Sequence, residues 1–226
     1  MMKLEIKEHK NIKYIVVFPD NFDETKKYPL LLKLHGAGGR GHDINPLLND
    51  SAFLHERQKF DSFPFLSVMP LCHENTWFDM WEELTEFVIY ISQTQNVDSE
   101  RIYLMGASMG GYATWQLAMS CPELFAAIVP ICGGGMYWNA SRLVNVPVWA
   151  FHGAKDNVVL PRESEIMVER VNACGGNAKL TIYPENDHNA WSDTFSNPKV
   201  YEWLLSHKNE NVKQIIDIYN DVEKYG

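Results

Sequence analysis

The chain has 226 residues, 46% of them hydrophobic and 22% charged. That composition excludes a disordered or collagen-like polymer and is long enough for one large domain with its own core. A net charge of −9 makes nucleic acid and anionic membrane poor partners for its surface.

Four cysteines, at 72, 121, 132 and 174, form no C-x-x-C pair, which argues against a zinc knuckle or redox motif. The first residues alternate charged with apolar side chains and lack the unbroken apolar run of a signal peptide. No run is long enough to span a bilayer. The expectation is a cytoplasmic protein with reduced thiols.

Taken in chain order, short apolar runs alternate with helical patterns. Residues 14–19 (YIVVFP), 30–34 (LLLKL) and 65–70 (FLSVMP) read as strands, with a glycine-rich loop after the second. Residues 81–93 carry Trp81, Leu84, Val88 and Ile91 at a helical period. The run 101–105 (RIYLM) enters a tight glycine turn, and a helix over 110–120 leaves it. Strands follow at 126–131 (AAIVPI), 146–151 (VPVWAF) and 180–183 (LTIY). A helix over 163–173 separates the last two and ends at a Gly-Gly pair suited to a C-cap. Further helices are expected over 197–208 and over 212–225, the latter packing on the body or on a second subunit, so a homo-oligomer is compatible with the sequence. Strands that mostly lack alternation are buried on both faces, as in a parallel sheet. The whole, residues 1–226, therefore reads as one α/β domain with a doubly wound, mostly parallel sheet of about seven or eight strands flanked by helices.

The sharpest chemical signal is Gly106-Ala107-Ser108-Met109-Gly110, a G-x-S-x-G pattern between a predicted strand and a predicted helix. Such a turn holds a serine hydroxyl above the sheet edge at a helix N-terminus, where developing negative charge is favoured. A nucleophilic serine needs a base, and the base needs an orienting acid. Asp156 lies just beyond the strand VPVWAF and His188 just beyond LTIYP, giving the order Ser, Asp, His at carboxyl ends of strands. Asp187, adjacent to His188, is a rival acid without a strand end of its own. His35 and His152 each precede a glycine at a strand end and read as structural, bonding loop backbone beneath the site.

Acyl transfer also needs two N–H donors for the oxyanion. Met109 supplies one, and Ala37, with Gly38 as the alternative, supplies the other from the loop His35-Gly36-Ala37-Gly38-Gly39. That loop also fits G-x-G-x-x-G through Gly36, Gly38 and Gly41. However, its acidic partner would be Glu56, in a helix-like stretch rather than at the next strand end, which argues against a dinucleotide site.

Together, RIYLMGASMGGYATWQLAMSCPELFAAIVPICGGG, PVWAFHGAKDNVV and the stretch from His188 to Trp191 resemble the α/β-hydrolase superfamily. Within it they resemble a phospholipase/carboxylesterase-like and dienelactone-hydrolase-like branch. This branch takes in feruloyl and acetylxylan esterase domains and predicted prolyl-oligopeptidase-family peptidases. The resemblance implies an α/β-hydrolase fold and carries nucleophile, acid and base onto Ser108, Asp156 and His188. Two departures stand out. Dienelactone hydrolases proper use cysteine where this chain has Ser108, and Gly39 precedes Arg40 where many relatives have an acidic residue.

The stretch from Cys132 to Asn145 is too short for a large cap domain, so the site is expected to be open, with Trp77, Tyr137, Trp138 and Trp191 as candidate walls of a substrate pocket. The expected activity is cleavage of small-molecule esters with short-chain or aromatic acyl groups, without metal or organic cofactor. The alternatives are a serine peptidase acting on short peptides and a non-enzymatic ligand-binding scaffold.

Overall fold

The computed structural model describes residues 2–49, 51–94 and 96–210. The stretch 212–225, expected to be helical, lies outside the described residues. Eight strands form one sheet: β1 (Leu4–His9), β2 (Ile12–Val17), β3 (Tyr28–Leu34), β4 (Leu66–Pro70), β5 (Val97–Ala107), β6 (Ala127–Ile131), β7 (Val148–Gly153) and β8 (Ala178–Tyr183). Their order across the sheet is β1-β2-β4-β3-β5-β6-β7-β8. The first three in that order pair antiparallel, and β4 through β8 pair parallel.

Chain direction across the sheet reverses at β3, which has β4 on one side and β5 on the other. Open α/β sheets present a crevice at the carboxyl ends of the strands flanking such a point. The loops that follow β3 and β5 here are the glycine loop and the Ser108 turn.

The central strands are apolar at nearly every position because helices cover both faces. Leu30, Leu32 and Leu34 of β3, with Ile102 and Leu104 of β5, join one buried cluster. Helices α3 (Trp81–Ser92), α4 (Met109–Ser120) and α5 (Arg162–Ala173) complete it through Phe87, Trp115 and Met167. Leu31, Tyr103 and Met105 point to the other face. There α1 (Asn45–Asn49), α2 (Ala52–Arg57), α6 (Trp191–Ser196) and α7 (Pro198–Leu205) contribute Leu47, Phe53, Phe195 and Leu204. Between β6 and β7 the chain makes only a 3-10 turn, Tyr137–Leu143.

Strand β1 went unread in the sequence. It pairs with β2 on one edge only, and Ile6 is 48% exposed. Its lysines and glutamates are those of an edge strand blunted against further pairing.

Candidate active site

Strand β5 ends at Ala107 and α4 starts at Met109, which leaves Ser108 alone in the turn with φ 56° and ψ −119°. Few side chains adopt such a backbone conformation, and the surroundings must hold it there. They do so by close packing. A Cβ at Gly106 would collide with the Gly110 carbonyl and with Thr114 Oγ1, and one at Gly110 would collide with the Leu34 carbonyl. The glycines flanking the serine are therefore required by the contact between β3, β5 and α4.

His188 Nε2 lies 2.9 Å from Ser108 Oγ, and His188 Nδ1 lies 2.7 Å from Asp156 Oδ2. Asp156 is buried, and its Oδ1 accepts the amides of Val158 at 2.9 Å and Val159 at 3.0 Å. Burial pushes its carboxyl up. The hydrogen bonds from His188, Val159 and Val158 outweigh burial and hold it below the usual carboxylate range. The acid so placed is Asp156. The rival Asp187, next to His188 in sequence, instead accepts the Asn189 amide at 3.0 Å.

His152 does more than bond the loop. Its Nε2 faces both the Val159 carbonyl at 2.9 Å and Asp156 Oδ2 at 3.2 Å. A proton on Nε2 meets both acceptors, one of them the carboxylate that also faces His188. Its Nδ1 lies 2.7 Å from Ser164 Oγ.

Ala37 and Gly38 open a 3-10 turn, Ala37–Gly39, and Met109 is the first residue of α4. Amides at a helix start have no partner within the helix and are free to bind an anion. Arg40 braces the loop from outside, donating from Nε to the Ala37 carbonyl at 2.7 Å and from Nη1 to the Asn75 carbonyl at 2.8 Å. Glu56, the acidic residue of the discarded dinucleotide pattern, sits on α2 and pairs with Lys59.

Ser108 and His188 open into a cavity of about 510 Å³ whose wall includes Gly36 to Gly39, Leu47, Val158, Trp191 and Phe195. Of the four aromatic side chains expected to form a substrate pocket, Trp191 lines this cavity, its ring edge-on to His188 at 5.4 Å between centroids. Trp77 does not. It is fully buried under the loop and donates from Nε1 to the His35 carbonyl at 3.0 Å. Tyr137 and Trp138 lie in the turn between β6 and β7, where Tyr137 packs under Arg170 and Trp138 is 72% exposed, so neither reaches this cavity. The sequence reading missed Pro46, Leu47, Ala52 and Phe195, which come from short helices, and Lys33, which lines the same cavity. A signal for Lys33 existed: one charge inside the otherwise apolar run LLLKL.

Cys132, Asp156 and His188 bring their ligand-type atoms within 4.8 Å of one another. Burial pushes the Cys132 thiol up to about 12. Asp156 and His188 already spend the facing atoms on each other.

A sequence profile of the dienelactone hydrolase family matches residues 67–216. The bifunctional acetylxylan esterase/xylanase XynS20E of Neocallimastix patriciarum is 27% identical over 197 residues, covering 83% of this chain and 27% of that protein. Feruloyl esterase B of Piromyces equi is 31% identical over 165 residues, covering 66% of this chain and 30% of its own length. The chain thus spans under a third of either curated relative. Among solved structures, a thermostable esterase superposes with a TM-score of 0.77 and 29% identity, over 92% of this chain and 63% of that one. The eight-stranded, mostly parallel sheet with flanking helices is the α/β-hydrolase fold.

Proposed function

The chain belongs to the dienelactone hydrolase family, and from that premise we propose that it is a serine-dependent carboxylesterase. The observation that carries this reading is the continuous hydrogen-bonded line from Ser108 through His188 to Asp156.

In the proposed reaction Ser108 Oγ attacks the ester carbonyl while His188 Nε2 takes its proton. Asp156 fixes the His188 tautomer with the proton on Nδ1 and stabilises the imidazolium that forms. The amides of Met109 and of Ala37 or Gly38 receive the oxyanion, assisted by the N-terminus of the 12-residue helix α4. His188 then protonates the departing alkoxide. Water, deprotonated by His188, hydrolyses the acyl-enzyme and restores Ser108.

The cavity beside Ser108 is largely apolar and aromatic, which suits a short or aromatic acyl group better than a long lipid chain. The names of the relatives, acetylxylan esterase and feruloyl esterase, point to the same substrate class.

The test is a turnover series on p-nitrophenyl esters from acetate to decanoate, with methyl ferulate and a prolyl-peptide anilide alongside. Short or aromatic esters should turn over fastest, and Ser108→Ala should lower kcat/KM by on the order of 10³ or more. Anilide cleavage faster than every ester would replace the esterase with a peptidase. Turnover that survives Ser108→Ala would remove the serine from the mechanism.

A further inference from the structure

Strand β3 carries a charge where its neighbours carry leucine. Leu30, Leu32 and Leu34 face one cluster and Leu31 faces the other, so alternation along the strand puts Lys33 on the Leu31 side. That side holds the cavity beside Ser108. Lys33 lines it and is 6% exposed. Its ammonium lies 5.3 Å from the ring centroid of Phe195, another residue of the same wall. Among the described residues, the ammonium has no hydrogen bond and no ion pair. The same cavity is lined by Leu47, Ala52, Trp191 and Phe195, with Ser51, Ser108 and His188 among its polar residues.

A cation buried without an anion is expensive, and a ring face offsets only part of that cost. Burial accordingly pulls the Lys33 amine down to about 8. The cavity that also holds Ser108 and His188 offers an anion a route to it. An anionic group on a substrate bound beside Ser108 would meet Lys33 by that route. The net charge of −9 gives no long-range attraction for an anion, so recognition would be local to this lysine. A single ammonium, with no other lysine or arginine among the described residues that line the cavity, matches one carboxylate rather than a phosphate or sulfate.

We propose that Lys33 forms an anion subsite in the substrate cavity, so that the preferred substrates are esters bearing a free carboxylate on the part that fills the cavity. This rests on the esterase reading above and specifies its substrate class. The carboxylate can sit on the acyl or the alcohol side of the ester, and the test separates the two.

On the acyl side, 4-nitrophenyl hydrogen glutarate is compared with its neutral methyl-capped diester. On the alcohol side, 4-acetoxybenzoate is compared with its methyl ester. In the unmodified protein the charged member of one pair should have a kcat/KM at least about tenfold higher, equivalent to about 1.4 kcal/mol. In Lys33→Met that ratio should fall to about one or below, while Lys33→Arg should keep part of it. Ratios near one in both pairs, or a preference that survives Lys33→Met, overturn the proposal.

Calorimetric binding of the same pairs to the Ser108→Ala protein reads the subsite without turnover. Tighter binding of the charged member, lost in the Ser108→Ala/Lys33→Met double variant, supports it. Equal binding of the two members contradicts it, and an unfolded Lys33→Met leaves this comparison in the Ser108→Ala protein decisive. Absence of Ser108-dependent turnover for all four esters would instead strike the esterase reading, with the binding comparison still deciding the subsite.

Discussion

His35 and His188 both stand beyond strand ends, and their neighbours give them different tasks. His35 Nδ1 donates to the Gly36 carbonyl at 2.7 Å, and its Nε2 accepts the Cys72 amide at 3.0 Å. Both ring nitrogens are thus committed in the neutral form, and the ring ties the glycine loop to the end of β4. Burial, reinforced by the nearby cations Lys33 and Arg40, pulls its pKa from 6.5 to about 4. The folded protein therefore binds fewer protons than the unfolded chain between these two values, and stability falls as pH drops through that window. The size is about 3 kcal/mol for one fully coupled ring. Urea midpoints measured from pH 7 to pH 4 should show the loss, and His35→Gln should flatten the curve by a comparable amount. Parallel curves for the two proteins would show that His35 does not carry it. The sequence pointed to the structural role of His35 through its place before Gly36. The contact of His152 with Asp156 was not legible, because it depends on how the loop after β7 folds back.

At the scale of elements, the strand-turn-helix unit around Ser108 was the most legible part of the chain. Small residues at 106, 107, 110 and 111 leave few other ways to join a strand to a helix. The strain sits on Ser108 itself, at φ 56°. Replacing it by alanine removes the hydroxyl and keeps the Cβ in the same strained backbone, whereas glycine removes both. Ser108→Gly should therefore be more stable than Ser108→Ala by about 1 kcal/mol, read as a difference in thermal or urea midpoints. Equal stabilities would mean the turn stores no strain. Elsewhere, elements with a clear period were read to within a few residues: the helix expected over 81–93 spans Trp81–Ser92, and the one over 163–173 spans Arg162–Ala173. Helices α1 and α6, of 5 and 6 residues, are too short for a 3.6-residue period to register. They supply much of the cavity wall, including Leu47 and Phe195, without a pattern that marks them in the sequence, whereas Trp77, Tyr137 and Trp138 stand out there as loop aromatics. An aromatic side chain in a loop looks the same in sequence whether it lines a cavity, as Trp191 does, or anchors a loop from beneath, as Trp77 does.

Across the whole molecule, the sheet order brings together residues far apart in the chain. The loops after β3, β5, β7 and β8 all open on one edge of the sheet, so a backbone loop, a serine, an aspartate and a histidine converge there without long excursions. This convergence was readable because each candidate followed a recognisable strand. The cavity was not, because its far wall comes from α1, α2 and α6 on one face. Among the described residues no helix is long and apolar enough to cross a membrane.

The central claim, that Ser108 is a nucleophile activated by His188, is tested most directly by covalent trapping. The protein is treated with a fluorophosphonate ester, digested, and mapped by mass spectrometry, with His188→Ala in parallel. The account predicts one adduct per chain, on the peptide carrying Ser108, formed more slowly in His188→Ala by on the order of 10² or more. An adduct on another residue with Ser108 unmodified, or labelling at the same rate without His188, would contradict it.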